Sequence, residues 1–148
     1  MARRKARILA FQALYCYEAA KPALQDLLAF AWEDEKVAAL DEGVLAFARA
    51  LVAGTIENLP EIDEKIKAHL VSWDITRIKR VDLALLRISV YSLVYQKEIH
   101  PSIVIEEAIG ISRSYGEDGA FRFINGILDT ISKECTRDDA QCGQTHPA

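Results

Sequence analysis

Residues 81–95, with the sequence VDLALLRISVYSLVY, form the stretch that decides the fold. Eleven of these fifteen residues are apolar, and the only charged ones are Asp82 and Arg87. The absence of Pro and Gly suits a helix of four turns, and apolar character on nearly every face predicts that this helix is buried among others. Since a membrane span needs about 20 apolar residues, we expect no span here.

Six further segments show helical patterning, and no alternating run bounded by turns indicates a strand. We therefore predict an all-α protein of about seven helices, forming one domain or two tightly joined subdomains. The helices are expected at residues 3–20, 23–32, 41–58, 61–70, 81–95, 102–114 and 120–133. The polar residues 134–148 are expected to form a flexible tail.

The composition describes a globular chain that needs neither a metal nor a disulfide to fold. Of 148 residues, 51% are hydrophobic and 27% charged, and a chain of this length buries roughly two-thirds of its unfolded surface. The start has no signal-peptide pattern, because Gln12 interrupts its apolar part and no cleavage motif follows. Cys16, Cys135 and Cys142 are therefore predicted to be reduced thiols of a cytoplasmic protein. Cys135, Cys142 and His146 do not have a usual zinc-ligand spacing, so we expect no metal site.

Charge is segregated along the chain. The net charge is −4, yet the first seven residues carry four positive charges, so the other 141 carry about −8. A basic leading end on an acidic body indicates a polyanion contact at one place. The alternative is a solvated basic terminus without a partner.

The first helix combines this charge with aromatic residues. At 100° per residue, Arg4, Arg7, Phe11 and Tyr15 lie opposite a face of small residues. Guanidinium groups neutralise phosphates and tyrosine rings stack on unpaired bases, so the pattern suits single-stranded nucleic acid. The alternative, which we favour for Phe11, is that this ring belongs to the core.

Catalytic signatures are missing from the sequence. It has no P-loop, no G-x-G-x-x-G, no G-x-S-x-G and no H-E-x-x-H motif. The adjacent Glu106 and Glu107 point apart on a helix, which is poor geometry for an acid–base pair. We therefore expect no enzymatic activity and no cofactor.

Three blocks of sequence together resemble the NusB family of bacterial transcription antitermination factors. They are ARRKARILAFQALY at the start, VDLALLRISVYSL in the centre and IVIEEAIGISRSYGEDGAFRFINGILD near the end. The last block is the most specific, because EEAI, the Tyr115-Gly116 pair and FINGILD follow one another at family distances. The resemblance covers residues 2–131 nearly end to end.

The resemblance implies a fold and a set of partners. Two helical halves, about 1–70 and 71–133, would pack on each other in a single NusB-like domain. NusB-like proteins pair with the ribosomal small-subunit protein NusE, bind boxA-type single-stranded nascent RNA and join the RNA polymerase antitermination complex. The resemblance leaves open whether the free protein forms a homodimer over its RNA face.

The resemblance also implies which residues bind. The RNA face would join the first helix to the last through Arg3, Arg4, Lys5, Arg7, Gln12, Tyr15, Arg122, Phe123 and Asn125. Asp82 falls at an acidic family position on the NusE-facing side. Gly110 and Gly119 depart from the family pattern; Gly110 is expected to cost about 1 kcal/mol of helix stability.

Two alternatives to this function remain. NusB-like domains also form the RNA-binding part of ribosomal RNA cytosine methyltransferases, although 148 residues leave no room for a methyl-donor domain. The protein could instead be a purely protein-binding helical adaptor whose basic end is incidental.

Overall fold

The computed structural model describes residues 2–30, 42–71 and 74–145, with side chains as far as Asp139. Within these ranges the chain forms seven α-helices, one short 3₁₀ turn and no strand, so the predicted all-α class is confirmed. The helices are α1 (Ala2–Ala20), α2 (Leu24–Leu28), α3 (Glu42–Glu57), α4 (Leu59–Lys67), α5 (Arg80–Tyr95), α6 (Pro101–Tyr115) and α7 (Ala120–Thr145); the turn is Ile75–Arg77. No helix of this described part is long and apolar enough to cross a membrane.

Helix α5 is the centre of the molecule, as its composition predicts. It packs against α1, α3, α4, α6 and α7. Eleven of its residues are buried, including both of its charged interior residues, Asp82 and Arg87. A helix with neighbours on every side must be apolar on every side, which explains the pattern of residues 81–95. A single cluster of buried apolar side chains extends from α1 to α7 through this helix.

The buried Arg87 joins three helices through a partly buried ion-pair network. Its Nε and Nη2 donate to both carboxylate oxygens of Asp63 at 2.9 Å, and its Nη1 donates to Glu18 at 2.8 Å. Burial opposes the charge, but the hydrogen bonds to Asp63 and Glu18 outweigh it and raise the pKa of Arg87. The network fixes α1 and α4 against α5.

The second helix is shorter than the predicted 23–32. Helix α2 ends at Leu28, and Phe30 has a left-handed backbone (φ 51°) with its ring fully buried. Burying this ring turns the chain away from the helix axis. Trp32, the predicted cap Asp41 and Trp73 lie outside the described residues.

The last helix is longer than predicted. It was expected to end at Lys133 and continues to Thr145, because Cys135 extends the stripe of Leu128 and Ile131 and packs against the core. The extension is also held by a hydrogen bond between His69 and Glu134 at 3.2 Å and by an ion pair between Lys97 and Asp139 at 2.9 Å. Low hydrophobicity alone therefore misplaced the end of this helix. The side chains of Cys142 and His146 lie outside the described range.

Candidate nucleic-acid interface

The four cations at the start of α1 lie in different environments. Arg3 and Lys5 are exposed. The guanidinium carbon of Arg3 lies 4.0 Å from the ring centroid of Phe47 in α3, a cation–π contact. Lys5 forms no ion pair with any residue in the described ranges.

Arg4 is held by α6. Its guanidinium group forms an ion pair with Glu107, and the two side chains are 38% and 19% exposed. The guanidinium crosses α6 over Gly110, where a Cβ atom would overlap it. Gly110 was expected only to weaken its helix. The structure explains why a glycine stands at this position, because a residue without a side chain lets Arg4 reach Glu107.

Arg7 lies in the interior and is 3% exposed. Its Nη1 donates to Ser92 Oγ at 3.1 Å, and its Nε has no hydrogen-bond partner among the described residues. Burial lowers the pKa of Arg7, and the charge of Glu107 opposes this shift. The expectation that Arg7 faces an RNA phosphate is wrong for this conformation. The helical projection failed because α1 is covered on two sides, by α3 and by α5. Phe11, expected in the core, is buried there at 3% exposure.

Tyr15 and Gln12 face an open cavity of about 360 Å³, lined also by Phe11, Cys16, Val81 and Tyr115. Tyr15 is 40% exposed and Tyr115 46%. The Tyr115 ring lies 5.5 Å from that of Phe11, tilted by 58°. Sequence reasoning missed Tyr115 as a surface residue of this site, although its position before Gly116 at a helix end was a signal.

The residues predicted on α7 are exposed as expected: Arg122, Phe123 and Asn125. Phe123 is 41% exposed in a helix that is otherwise used for packing. It lines a second cavity, of about 550 Å³, together with Asp82 and residues 117–120. Tyr15 and Phe123 were expected close together. They line separate cavities. The wall of the Tyr15 cavity includes Val81 of α5, and the wall of the Phe123 cavity includes the next residue, Asp82.

Asp82 is recessed in the wall of this second cavity and only 9% exposed. Burial raises its pKa, Lys79 opposes the shift and Glu117 adds to it. Lys79 and Glu117 form an ion pair with each other and also line the cavity. A partner would therefore have to reach into the cavity to touch this carboxylate.

A further basic pair lies where α6 meets α7, and the sequence did not indicate it. The guanidinium carbons of Arg113 and Arg122 lie 4.4 Å and 5.6 Å from the ring centroid of Phe121. Gly119, in the loop between the helices, has φ +82°, a backbone conformation that favours glycine.

The family model of the NusB family matches residues 4–133. The curated transcription antitermination protein NusB of Treponema denticola is 46% identical over 132 residues, which are 89% of this chain and 96% of that protein. Its counterpart in Bacillus subtilis is 34% identical over 90% of this chain and 97% of that protein. The chain belongs to the NusB family. The resemblance in the three sequence blocks is thereby confirmed.

Solved structures agree with this assignment. T. maritima NusB superposes with a TM-score of 0.78 at 36% identity, covering 89% of this chain and 91% of that one. A chain from the crystal structure of the antitermination factors NusB and NusE in complex with dsRNA has a TM-score of 0.80 at 28% identity, covering 90% and 97%. The NusB-like fold of this chain is therefore established.

Proposed function

We propose that this NusB-family protein is an RNA-binding transcription antitermination factor that pairs with NusE on boxA-type nascent RNA, chiefly of ribosomal operons. It would work in the cytoplasm as part of the RNA polymerase antitermination complex and without catalysing a reaction. The observation that supports this best is the pair of exposed aromatic rings, Tyr15 and Phe123, in two open cavities that each include a residue of the first turn of α5.

The chemistry of the two cavities suits a single strand. Large aromatic side chains are normally buried, and a ring left about 40% exposed offers a face on which a base can stack. Exposed cations lie on the same two helices, Arg3 and Lys5 on α1 and Arg122 on α7. They would neutralise the phosphates between the stacked bases.

The proposed pairing with NusE is supported by the charge of the chain and by a related structure. Outside its first seven residues the chain carries about −8, which suits a basic ribosomal protein and would speed the encounter. A related structure contains NusB and NusE together with dsRNA. Asp82 is our candidate contact, with a basic side chain of NusE entering its cavity.

The test is fluorescence anisotropy of a labelled boxA-type RNA titrated with this protein, with and without NusE, against a scrambled RNA of equal length. We expect preference for boxA and tighter binding when NusE is present. Asp82→Lys should weaken the response to NusE, whereas Asp129→Lys, an exposed site on α7, should not. Equal binding of both RNAs would contradict the boxA assignment.

The helical-adaptor alternative gains some support from the engagement of Arg4 and Arg7 inside the protein. It predicts that NusE binds while RNA is lost at moderate salt. Measuring RNA retention at 150 mM salt, about the physiological ionic strength, distinguishes the two functions.

A further inference from the structure

Phe121, Arg113 and Arg122 form a compact group, here named the Phe121 cluster. Both guanidinium carbons are held over one ring, at 4.4 Å and 5.6 Å from its centroid, so they lie within about 10 Å of each other. Arg113 belongs to the last turn of α6 and Arg122 to the first turns of α7. The fold thus brings together two cations that are nine residues apart in the sequence.

The cluster has positive charge that no carboxylate of the described residues neutralises. Arg113 and Arg122 are both exposed, and neither pairs with a carboxylate in the described parts of the chain. Nearby basic residues behave differently, since Arg4 is paired with Glu107 and Lys79 with Glu117. Two like charges held near each other on an acidic protein repel, and an anion bound between them would relieve that repulsion.

The position of the cluster relates it to both aromatic cavities. Arg113 lies two residues before Tyr115, which lines the cavity of Tyr15. Arg122 directly precedes Phe123, which lines the cavity of Asp82. The last residue of α6, Tyr115, and residues of the first turn of α7, Ala120 and Phe123, therefore belong to the walls of the two cavities.

We propose that the Phe121 cluster is a phosphate-binding element of the RNA surface, in which Arg113 and Arg122 contact the backbone between the two aromatic cavities. Phe121 is a positioning residue, since its ring fixes both guanidinium groups. The proposal rests on the RNA binding proposed above and adds Arg113 and Phe121 to the residues that take part. A planar guanidinium presents paired N–H donors that match phosphate oxygens.

The experiment measures the affinity for boxA-type RNA against salt concentration for Arg113→Gln, Arg122→Gln and the double variant. Each lost phosphate contact on a single strand should reduce the log–log slope by roughly 0.7, and the double variant by roughly 1.4. Arg137→Gln is the matched control. It removes one exposed cation from the same helix about 22 Å from Arg122, and its slope should equal that of the unaltered protein.

The role of Phe121 needs a different pair of variants. Phe121→Leu keeps an apolar side chain but removes the π face, so RNA affinity should fall. Phe121→Tyr keeps the π face, so its RNA affinity should equal that of the unaltered protein. Thermal melting followed by circular dichroism, on every variant, shows whether a loss of binding reflects a loss of fold.

The outcomes separate this proposal from the broader one. If the unaltered protein binds boxA RNA and the Arg113→Gln slope is unchanged, the cluster is no phosphate site although the RNA function stands. A lower melting temperature with an unchanged slope in folded variants would make the cluster purely structural. If the unaltered protein binds no RNA with or without NusE, both proposals are wrong.

Discussion

The two basic regions of this protein differ in how much of their charge is available. The start of α1 has four cations within five residues, yet Arg4 is paired with Glu107 and Arg7 is buried. The end of α6 and the start of α7 have only isolated arginines in the sequence. The fold brings two of them onto one ring, and neither is paired with a carboxylate among the residues that the structure describes. Density of charge along the sequence is therefore a poor measure of free charge on the surface.

The difference has a physical cause in packing. Helix α1 lies between α3 and α5, so part of its basic stripe enters the interior and must find polar partners there. The α6–α7 junction is a helix end followed by a loop, where long side chains remain in solvent. The following predictions test this contrast.

The largest effect on RNA binding is expected from the exposed rings. Phe123→Ala should weaken binding by about 1–3 kcal/mol, since a base loses its stacking partner, and the salt slope should stay nearly unchanged. Tyr15→Ala should do the same. Unfolding of Phe123→Ala, with binding that follows charge alone, would instead make Phe123 a core residue.

Arg7 should matter for stability and not for the salt slope. Arg7→Ala leaves Ser92 without this donor and opens space beside Phe47, so the free energy of unfolding should fall by about 1–3 kcal/mol in urea denaturation. Arg7→Met, which keeps the volume, should lose less. The matched variant Lys5→Met should leave stability unchanged and reduce the salt slope by roughly 0.7. A slope change for Arg7→Met would show that Arg7 reaches RNA after all.

Releasing Arg4 should strengthen RNA binding. Glu107→Gln removes its ion-pair partner, and a partly exposed pair of this kind is worth about 0.2–1 kcal/mol. Affinity should therefore rise up to about fivefold at low salt. Glu106→Gln, the exposed neighbour, is the control for the change in net charge. Equal gains from both variants would mean that only long-range charge is involved.

The smallest effect concerns the carboxylate of Asp82, which is recessed in the wall of the Phe123 cavity. Burial raises the pKa of Asp82 in the folded state above 3.8, so ionisation of this carboxyl opposes folding. The stability contributed by its protonated form is therefore lost as pH rises through the folded pKa. Asp82→Asn should therefore raise the free energy of unfolding at pH 7. The gain should shrink toward pH 4. A constant gain from pH 4 to 7 would mean that ionisation of Asp82 is not its source.

The sequence by itself determined the class of fold and its centre. Residues 81–95 are apolar on every face, and such a helix is stable only when surrounded. The three blocks that resemble the NusB family can likewise be recognised from the order of residues alone. The last helix has enough apolar residues for packing without Phe123, so this ring was expected to be exposed. The structure confirms its exposure.

Only the tertiary structure decided which charges are free. Whether Arg7 is buried depends on α3 and α5 covering α1, and the partner of Arg4 lies 103 residues away, beside a glycine that makes room for it. The convergence of Arg113 and Arg122 on Phe121 depends on the turn between two helices. Helical periodicity describes one helix at a time, whereas burial and ion pairing are set by the neighbours that long-range packing supplies.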